Sequence, residues 1–235
     1  MIKVNEIFGP TIQGEGASVG KEVTFLRLSG CNLHCVWCDT PYTWNWIGTS
    51  FAHPDKYDPK KESHEMSIED IYEALNRIPT RALVISGGEP LIQQKQLLPL
   101  IHLLKKDGWW IEVETNGTIP IRPEFGELID QFNCSPKLSN SGDPLKLRIR
   151  ENTLRMLGQD EKVFFKFVVG SDQDVEETLK LIEEFDLVRV YLMPLGKTAE
   201  ELEKTLSLTK ALAEKHQLLF SPRLHVSELG GGRGI

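Results

Sequence analysis

A chain of 235 residues, 40% hydrophobic and 26% charged, is long enough to bury one substantial core, and these proportions exclude a disordered or fibrous protein. Its 27 basic and 34 acidic residues leave a net charge of −7, so the surface as a whole offers no invitation to nucleic acid or to anionic lipid. No apolar run approaches the ~18 residues of a membrane span, and the opening "MIKVNEIFGPTIQGEG" lacks the apolar stretch and cleavage site of a secretory signal, so the expectation is a cytoplasmic protein.

In chain order, the first expected strand is "EVTFLRLS", Glu22 to Ser29. It runs into a loop with three cysteines and then a connection, Pro41 to Met66, far longer than the usual few residues between a strand and its helix. That insertion, at about 41–66, reads either as surface decoration or as a lid or partner surface. A helix over Ser67 to Ile78 is signalled by a Ser-x-x-Asp start and by Ile68, Ile71, Tyr72 and Leu75 on one stripe. The alternation then repeats: strands at Ala82–Ser86, Trp109–Thr115, Gln131–Ser135, Lys162–Val169 and Leu187–Met193. Helices are expected at Gln93–Lys106, Pro123–Asp130, near Arg148–Leu157, at Gln173–Phe185 and at Thr198–His216. Six strands alternating with helices predict an α/β protein of parallel βα units in one domain spanning 1–235. Periodicity fits a doubly wound sheet or a partial (β/α) barrel equally well. In both, chemistry collects where the strands end, and "SGCNLHC", "SGGEP", "ETNGT", "CSPK", "VGSD" and "MPLGK" each follow a strand.

Cys31, Cys35 and Cys38 form Cys-x3-Cys-x2-Cys, three thiols close enough on one loop to hold three corners of a cubane iron–sulfur cluster. The alternatives are unligated thiols or a zinc site completed by His34 or Cys134, although zinc sites usually pair two knuckles and no second knuckle is present. In "ISGGEP", Ile85 to Pro90, two glycines at a strand end let backbone approach a ligand closely; alone, the same residues would read as a turn.

"CNLHCVWC", with Trp37 before its last cysteine, resembles the signature of the radical S-adenosylmethionine enzymes, and "SGGEP" resembles that superfamily's second motif. The resemblance implies a 4Fe-4S cluster whose fourth iron is left for S-adenosyl-L-methionine, whose reductive cleavage yields a radical that abstracts a substrate hydrogen. Gly88 and Glu89 would position the methionine amino group. The stretch Glu6 to Thr40, with "SPK" at 135–137 and the terminal "GGGRGI", is similar to the 7-carboxy-7-deazaguanine synthase family. That family rearranges 6-carboxy-5,6,7,8-tetrahydropterin with loss of ammonia, requires Mg2+, and uses a shortened barrel of about six parallel strands.

Carried onto this chain, the resemblance implies that Trp37, Asp39, Ser135, Pro136 and Lys137 contact S-adenosylmethionine, and that Ser86 lies near the substrate. Backbone of Ile12, Gln13 and Gly14 would read the pterin edge, and the fork of Arg27 suits its carboxylate, unless Arg27 merely pairs with a glutamate. Thr40 would give Mg2+ a hydroxyl ligand, unless it is a turn cap. Lys137 otherwise reads as a surface charge, Thr115 and Asn116 as a turn, and His225 as a structural histidine. The carboxylate of Ile235 would fold over the rim or belong to a frayed tail; Leu229 replaces an aromatic residue common before the terminal motif, a stack that Trp44 or Trp46 would supply. No residue is assigned as a catalytic acid or base. The resemblance also implies a flavodoxin or ferredoxin as electron donor and a homodimer, with no nucleic-acid or membrane partner. Two other readings stay open: an activase of a glycyl-radical enzyme, and a zinc-binding α/β protein.

Overall fold

Side chains alternate across a strand, and in this chain the alternation separates two chemistries. A computed structural model describes residues 1–235 except Ala52, Leu229, Gly231, Gly232 and Ile235. The strands are β1 (Ile2–Ile12), β2 (Glu22–Leu28), β3 (His64–Met66), β4 (Ala82–Gly87), β5 (Trp110–Thr115), β6 (Gln131–Cys134), β7 (Val163–Val169), β8 (Val190–Pro194) and β9 (Leu219–Phe220). They form one sheet in the order β3-β1-β2-β4-β5-β6-β7-β8-β9, parallel from β2 through β9 and antiparallel at β1 and β3. Positions such as Leu26, Leu28, Ile85, Val113, Phe132, Phe165 and Leu192 face outward into a buried apolar layer. Their neighbours in sequence, among them Arg27, Ser86, Glu114, Lys166 and Met193, face the other way and line a single cavity.

The outer layer is completed by helices. These are α1 (Pro59–Glu62), α2 (Ile68–Asn76), α3 (Gln94–Lys106), α4 (Pro123–Gly126), α5 (Leu145–Arg148), α6 (Glu151–Gly158), α7 (Asp172–Phe185), α8 (Ala199–Lys215) and α9 (Leu224–Ser227). Ser67, Ser171 and Thr198 cap α2, α7 and α8 by accepting the backbone N–H of Asp70, Asp174 and Glu201 at 3.0, 3.3 and 3.2 Å. Ile71 and Leu75 of α2, four residues of α3 (Leu97, Leu100, Ile101 and Leu104), and Val175 and Leu181 of α7 then pack on the outward sheet face. Among the described residues, no helix is long and apolar enough to cross a membrane.

The barrel is open, because its edge strands, β3 and β9, do not pair with each other. Residues 13–18 cross the opening: Gly16 donates its N–H to Ser221 Oγ at 2.8 Å, and Gly14 accepts from Leu224 N at 3.0 Å. All six expected strands are present, as β2 and β4 to β8. Three departures from expectation have local causes. β1 was not expected because Gly9 and Pro10 interrupt its pattern and its register with β2 shifts between Phe8 and Thr11. The helix expected at Pro123–Asp130 is the single turn α4, since Asp130 turns back to accept Ile111 N–H and opens β6. The helix expected near 148–157 is split into α5 and α6, with Ile149 and Arg150 extended between them.

Candidate active site

The cysteine loop is fixed from several sides before any metal is considered. Ser29 Oγ donates to Glu62 O at 3.0 Å, Gly30 N to Thr43 O at 2.8 Å, His34 N to Asp143 Oδ1 at 3.0 Å, and Val36 N to Ser141 O at 3.0 Å. Asn32 bonds both Asn116 and Thr118 beyond β5. Burial pushes the Cys31 thiol up to about 12 and raises those of Cys35 and Cys38 as well. Trp44 Nε1 points at Cys38 Sγ, 3.4 Å away, and Leu33 N at Cys31 Sγ, 3.5 Å away. These N–H groups suit bound thiolates, which accept hydrogen bonds and lose their charge penalty only when a metal takes them.

A donor set of three thiols on one loop fits a cluster in which each sulfur binds a different iron. A single-ion site needs donors converging on one point, and no three His, Cys, Asp or Glu side chains do so among the described residues. His34 is stacked on Phe51 with centroids 3.6 Å apart. Cys134 is buried in the outer apolar layer. Neither is on the cavity wall, so neither completes a zinc site.

The second motif lies against this loop at the closest approach of β2 and β4. Gly87 has φ +130°, and a Cβ there would stand 2.1 Å from Leu28 O; a Cβ on Gly88 would stand 2.1 Å from Gly30 O and 3.0 Å from Cys31 Cβ. Gly88→Ala is therefore expected to push the cysteine loop away, reducing iron bound per chain and lowering stability by about 1–3 kcal/mol. Iron analysis with thermal melts checks this, and a variant matching the parent in both would show that the gap yields.

A cavity of about 520 Å³ opens over the strand ends. Of the residues singled out from sequence, Ile12, Gln13, Gly14, Arg27, Cys31, Cys35, Trp37, Cys38, Asp39, Thr40, Ser86, Gly88, Ser135 and Lys137 line it, together with Thr115 and Asn116. Pro136 is buried behind the wall. Glu89 also lies behind it: its carboxylate, raised by burial, accepts from Leu91 N, Thr115 Oγ1 and Asn116 N at 3.0, 2.8 and 2.7 Å. It thus holds two cavity residues in place rather than facing the cavity itself. Ile235 and Leu229 lie outside the described residues.

Several side chains have partners that bear on their roles. Arg27 donates Nε to Glu6 Oε1 at 2.7 Å and also lines the cavity, so the expected ion pair and a place on the cavity wall coexist. Thr40 precedes a short 3-10 turn at 41–43 without capping it; its hydroxyl lies 3.7 Å from Cys38 Sγ. Lys137 folds back on Ser135 Oγ at 2.8 Å, with its ammonium 5.6 Å from the Trp37 ring. The backbone N–H and C=O of Gln13 pair with Lys21 O and Gly20 N, both at 2.9 Å. The Gln13 backbone is thus committed to the fold, as is the Gly14 carbonyl, which takes Leu224 N at 3.0 Å.

The insertion packs onto the cysteine loop. Trp44 is buried against Phe51 and His53, while buried Asn45 donates to His53 O at 3.0 Å. Trp46 Nε1 is tied to Tyr42 O at 3.1 Å. Trp44 lines the cavity and Trp46 does not. Arg233 pairs with Glu62 at 3.0 Å and lies 3.9 Å above the Tyr42 ring, joining the C-terminal segment to the insertion.

Sequence reasoning missed a chain of charges along the same wall. Lys166, almost fully buried on β7, bonds Glu114 at 2.7 Å and Glu15 at 3.0 Å; Glu15 bonds Arg223 at 3.1 Å, and Arg223 bonds Asp39 beside Cys38. Burial opposes ionisation of Glu15, but Lys166 and Arg223 outweigh it and hold the carboxyl down at about 2. His225 is 3.6 Å from Glu15 and lines the cavity, so it joins this network. One deeper carboxyl goes the other way: burial and the adjacent Glu114 push Glu112 up to about 8. The available signal was a lone lysine in the apolar strand "VFFKFVV" and two glutamates at alternate positions of "IEVET", charges that a buried strand tolerates only when they are paired.

A parallel α/β half-barrel with a three-thiol loop and a glycine pair at its mouth defines the radical S-adenosylmethionine class. A model of the Radical SAM superfamily matches residues 26–209, most of the chain, and the chain belongs to that superfamily. It is 33% identical to the 7-carboxy-7-deazaguanine synthase of Pyrobaculum aerophilum over 99% of this chain and 97% of that one. It is 31% identical to the enzyme of the same name from Bacillus subtilis, covering 100% and 98%. The crystal structure of QueE from Escherichia coli matches with a TM-score of 0.70 at 27% identity, over 94% and 93% of the two chains. Within the superfamily, the chain belongs to the 7-carboxy-7-deazaguanine synthase family. Membership implies an enzyme with a 4Fe-4S cluster, S-adenosylmethionine, a reductant and a small-molecule substrate.

Proposed function

We propose that this cavity converts 6-carboxy-5,6,7,8-tetrahydropterin to 7-carboxy-7-deazaguanine with loss of ammonia. The observation that carries the reading is that one 520 Å³ space is walled by the cysteine loop and also by Arg27 and the Gln13–Gly14 turn. Cys31, Cys35 and Cys38 would hold the cluster. Trp37, Asp39, Gly88, Ser135 and Lys137 would border S-adenosylmethionine, with Glu89 and Pro136 supporting that wall from behind. When bound, cluster and cofactor supply one-electron hydrogen-abstraction chemistry.

The chain's own part is placement and exclusion of water. Arg27, with Nε fixed by Glu6, presents its terminal nitrogens to a carboxylate as an oriented fork. Ser86 borders the substrate, and Tyr42 and Trp44 shield the space on the insertion side. Thr40, its hydroxyl uncommitted to the turn it precedes, is the proposed Mg2+ ligand, with retained waters and substrate oxygens filling the remaining positions. The enzyme would work in the cytoplasm as a homodimer fed by a flavodoxin or ferredoxin, as one domain with residues 41–66 as its insertion, its product entering 7-deazapurine synthesis such as that of queuosine.

Anaerobic incubation of cluster-loaded protein with S-adenosylmethionine, reductant, Mg2+ and the carboxytetrahydropterin tests the reading. Formation of 5′-deoxyadenosine without any deazaguanine would overturn it. Arg27→Lys is expected to lower pterin turnover at least about tenfold, since a point charge replaces a planar fork, while substrate-independent cofactor cleavage continues. Unchanged turnover would make Arg27 structural.

A further inference from the structure

Beneath the cavity floor, inside the barrel, lies a cluster of buried polar groups that the proposed reaction does not use. At its centre is Glu112 of β5, 0% exposed. Its Oε1 accepts from Gln13 Nε2 at 2.6 Å and from Asn133 Nδ2; its Oε2 accepts from Ser18 Oγ and from Gln131 Nε2 at 3.2 Å. Four donors from two segments, residues 13–18 and β6, converge on one carboxyl group and tie the turn that closes the barrel to β5.

The consequence falls on Gln13. Its amide nitrogen has two N–H groups, and both meet carboxyl oxygens, those of Glu112 at 2.6 Å and Glu114 at 3.2 Å. Glu112 Oε1 already takes the Gln13 and Asn133 amides, so a proton on this raised carboxyl sits on Oε2 facing Ser18 Oγ and Oε1 accepts in either state; the amide cannot flip without setting its carbonyl oxygen against two acceptors. Gln13 Oε1 is thereby turned to the opposite side, where it takes the Glu15 N–H at 3.3 Å and, among the described residues, keeps one lone pair without a donor. Gln13 lines the cavity, so its remaining valence is an acceptor rather than a donor.

We infer that Glu112 is a positioning residue that sets the polarity of the Gln13 amide, and through it makes the cavity floor select a heterocycle presenting a ring-edge N–H. The inference rests on the pterin reading and deepens it: the pyrimidine edge of a pterin carries N–H donors at N3 and at the 2-amino group. A heterocycle with only acceptors along that edge would meet the lone pair of Gln13 and leave it unpaired, which discriminates more strongly than a missing methyl group does.

The test uses the cluster-loaded enzyme. The parent is compared with Glu112→Gln for the carboxytetrahydropterin and for its N3-methyl and 2-dimethylamino analogues. In the parent, at least one analogue is expected to lose about tenfold or more in kcat/KM. Glu112→Gln offers Gln13 a donor as well as an acceptor, so the amide is freed to flip. It is expected to raise the KM for the substrate about tenfold, with kcat changed less than about threefold, and to shrink the discrimination against that analogue. Gln13→Met, which keeps the volume without an acceptor, should produce the same two changes and reads out the claim even where the Glu112 variant folds poorly. An unchanged KM in both variants, analogues accepted as well as the substrate by the parent, or kcat and KM failing together would each overturn the assignment. Absence of deazaguanine from the parent would overturn the pterin reading and this assignment with it; product from the parent confines any failure to the role of Glu112.

Discussion

Replacing Cys31, Cys35 or Cys38 individually by Ala is expected to reduce bound iron to background and to abolish 5′-deoxyadenosine formation, whereas Cys134→Ser should retain both. The three loop thiols are buried or half-buried, and burial pushes each above its ordinary range, so without iron they are neutral and bind nothing strongly. A cluster offsets that penalty by bonding each sulfur as a thiolate, and removing one ligand exposes a second iron to solvent. Two neighbouring side chains are already committed: His34 is held in its stack on Phe51, and Asp143, 3.3 Å from Cys35 Sγ, accepts the His34 N–H. Cys134 has the opposite setting. It is 0% exposed in the outer layer, and its sulfur is wedged behind Gly117. Serine there buries a hydroxyl in an apolar site and should reduce stability by about 1–3 kcal/mol without touching the loop. Iron and sulfide analysis beside thermal melts distinguishes the cases; loss of iron from Cys134→Ser, or full iron in any loop variant, would refute the three-ligand assignment.

How much of this was legible beforehand depended on whether the signal was local. The six parallel strands were, because a buried strand between amphipathic helices is an apolar run with its own boundaries. The cysteine loop was too, since three ligands within eight residues carry their spacing in the sequence. Glu89 shows the limit: its motif marked the right strand end, yet the carboxylate turns behind the wall to hold Thr115 and Asn116, and only the register of β4 against β5 decides that. The charge chain was illegible for the same reason, since Glu15, Glu114, Lys166 and Arg223 are scattered over some two hundred residues. Each alone reads as an ordinary surface charge; the inward parity of β5 and β7 and the return of residues 221–227 across the barrel opening bring them together.

Arg223→Ala is expected to lower the melting temperature by about 10 °C and to weaken retention of the cluster. The guanidinium is 5% exposed and serves three acceptors from distant segments: Glu15 of the turn that closes the barrel, Asp39 of the cysteine loop, and the backbone carbonyl of Gly196 after β8. Truncation leaves Glu15 and Asp39 on one wall without the cation between them; unpairing a buried charge costs about 3–5 kcal/mol, which applies to buried Glu15, whereas Asp39, with its side chain 41% exposed, is partly screened by solvent. Lys166 still reaches Glu15, at 3.0 Å, but Asp39 keeps His225, 3.9 Å away, and the more distant charge of Arg27. The strain therefore falls on the residue that directly follows Cys38. Arg223→Lys keeps the charge but cannot direct separate N–H groups at three acceptors, so it should recover part of the melting temperature and less of the activity. The decisive comparison is between Arg223→Ala and Glu15→Gln. If Arg223 acts by balancing carboxylates, removing one carboxylate as well should soften the loss, so the double variant should melt higher than the sum of the two single effects. Strict additivity would mean that Arg223 acts through Asp39, Gly196 and its packing but not through Glu15, and that it does not join the cysteine loop electrostatically to the barrel-closing turn.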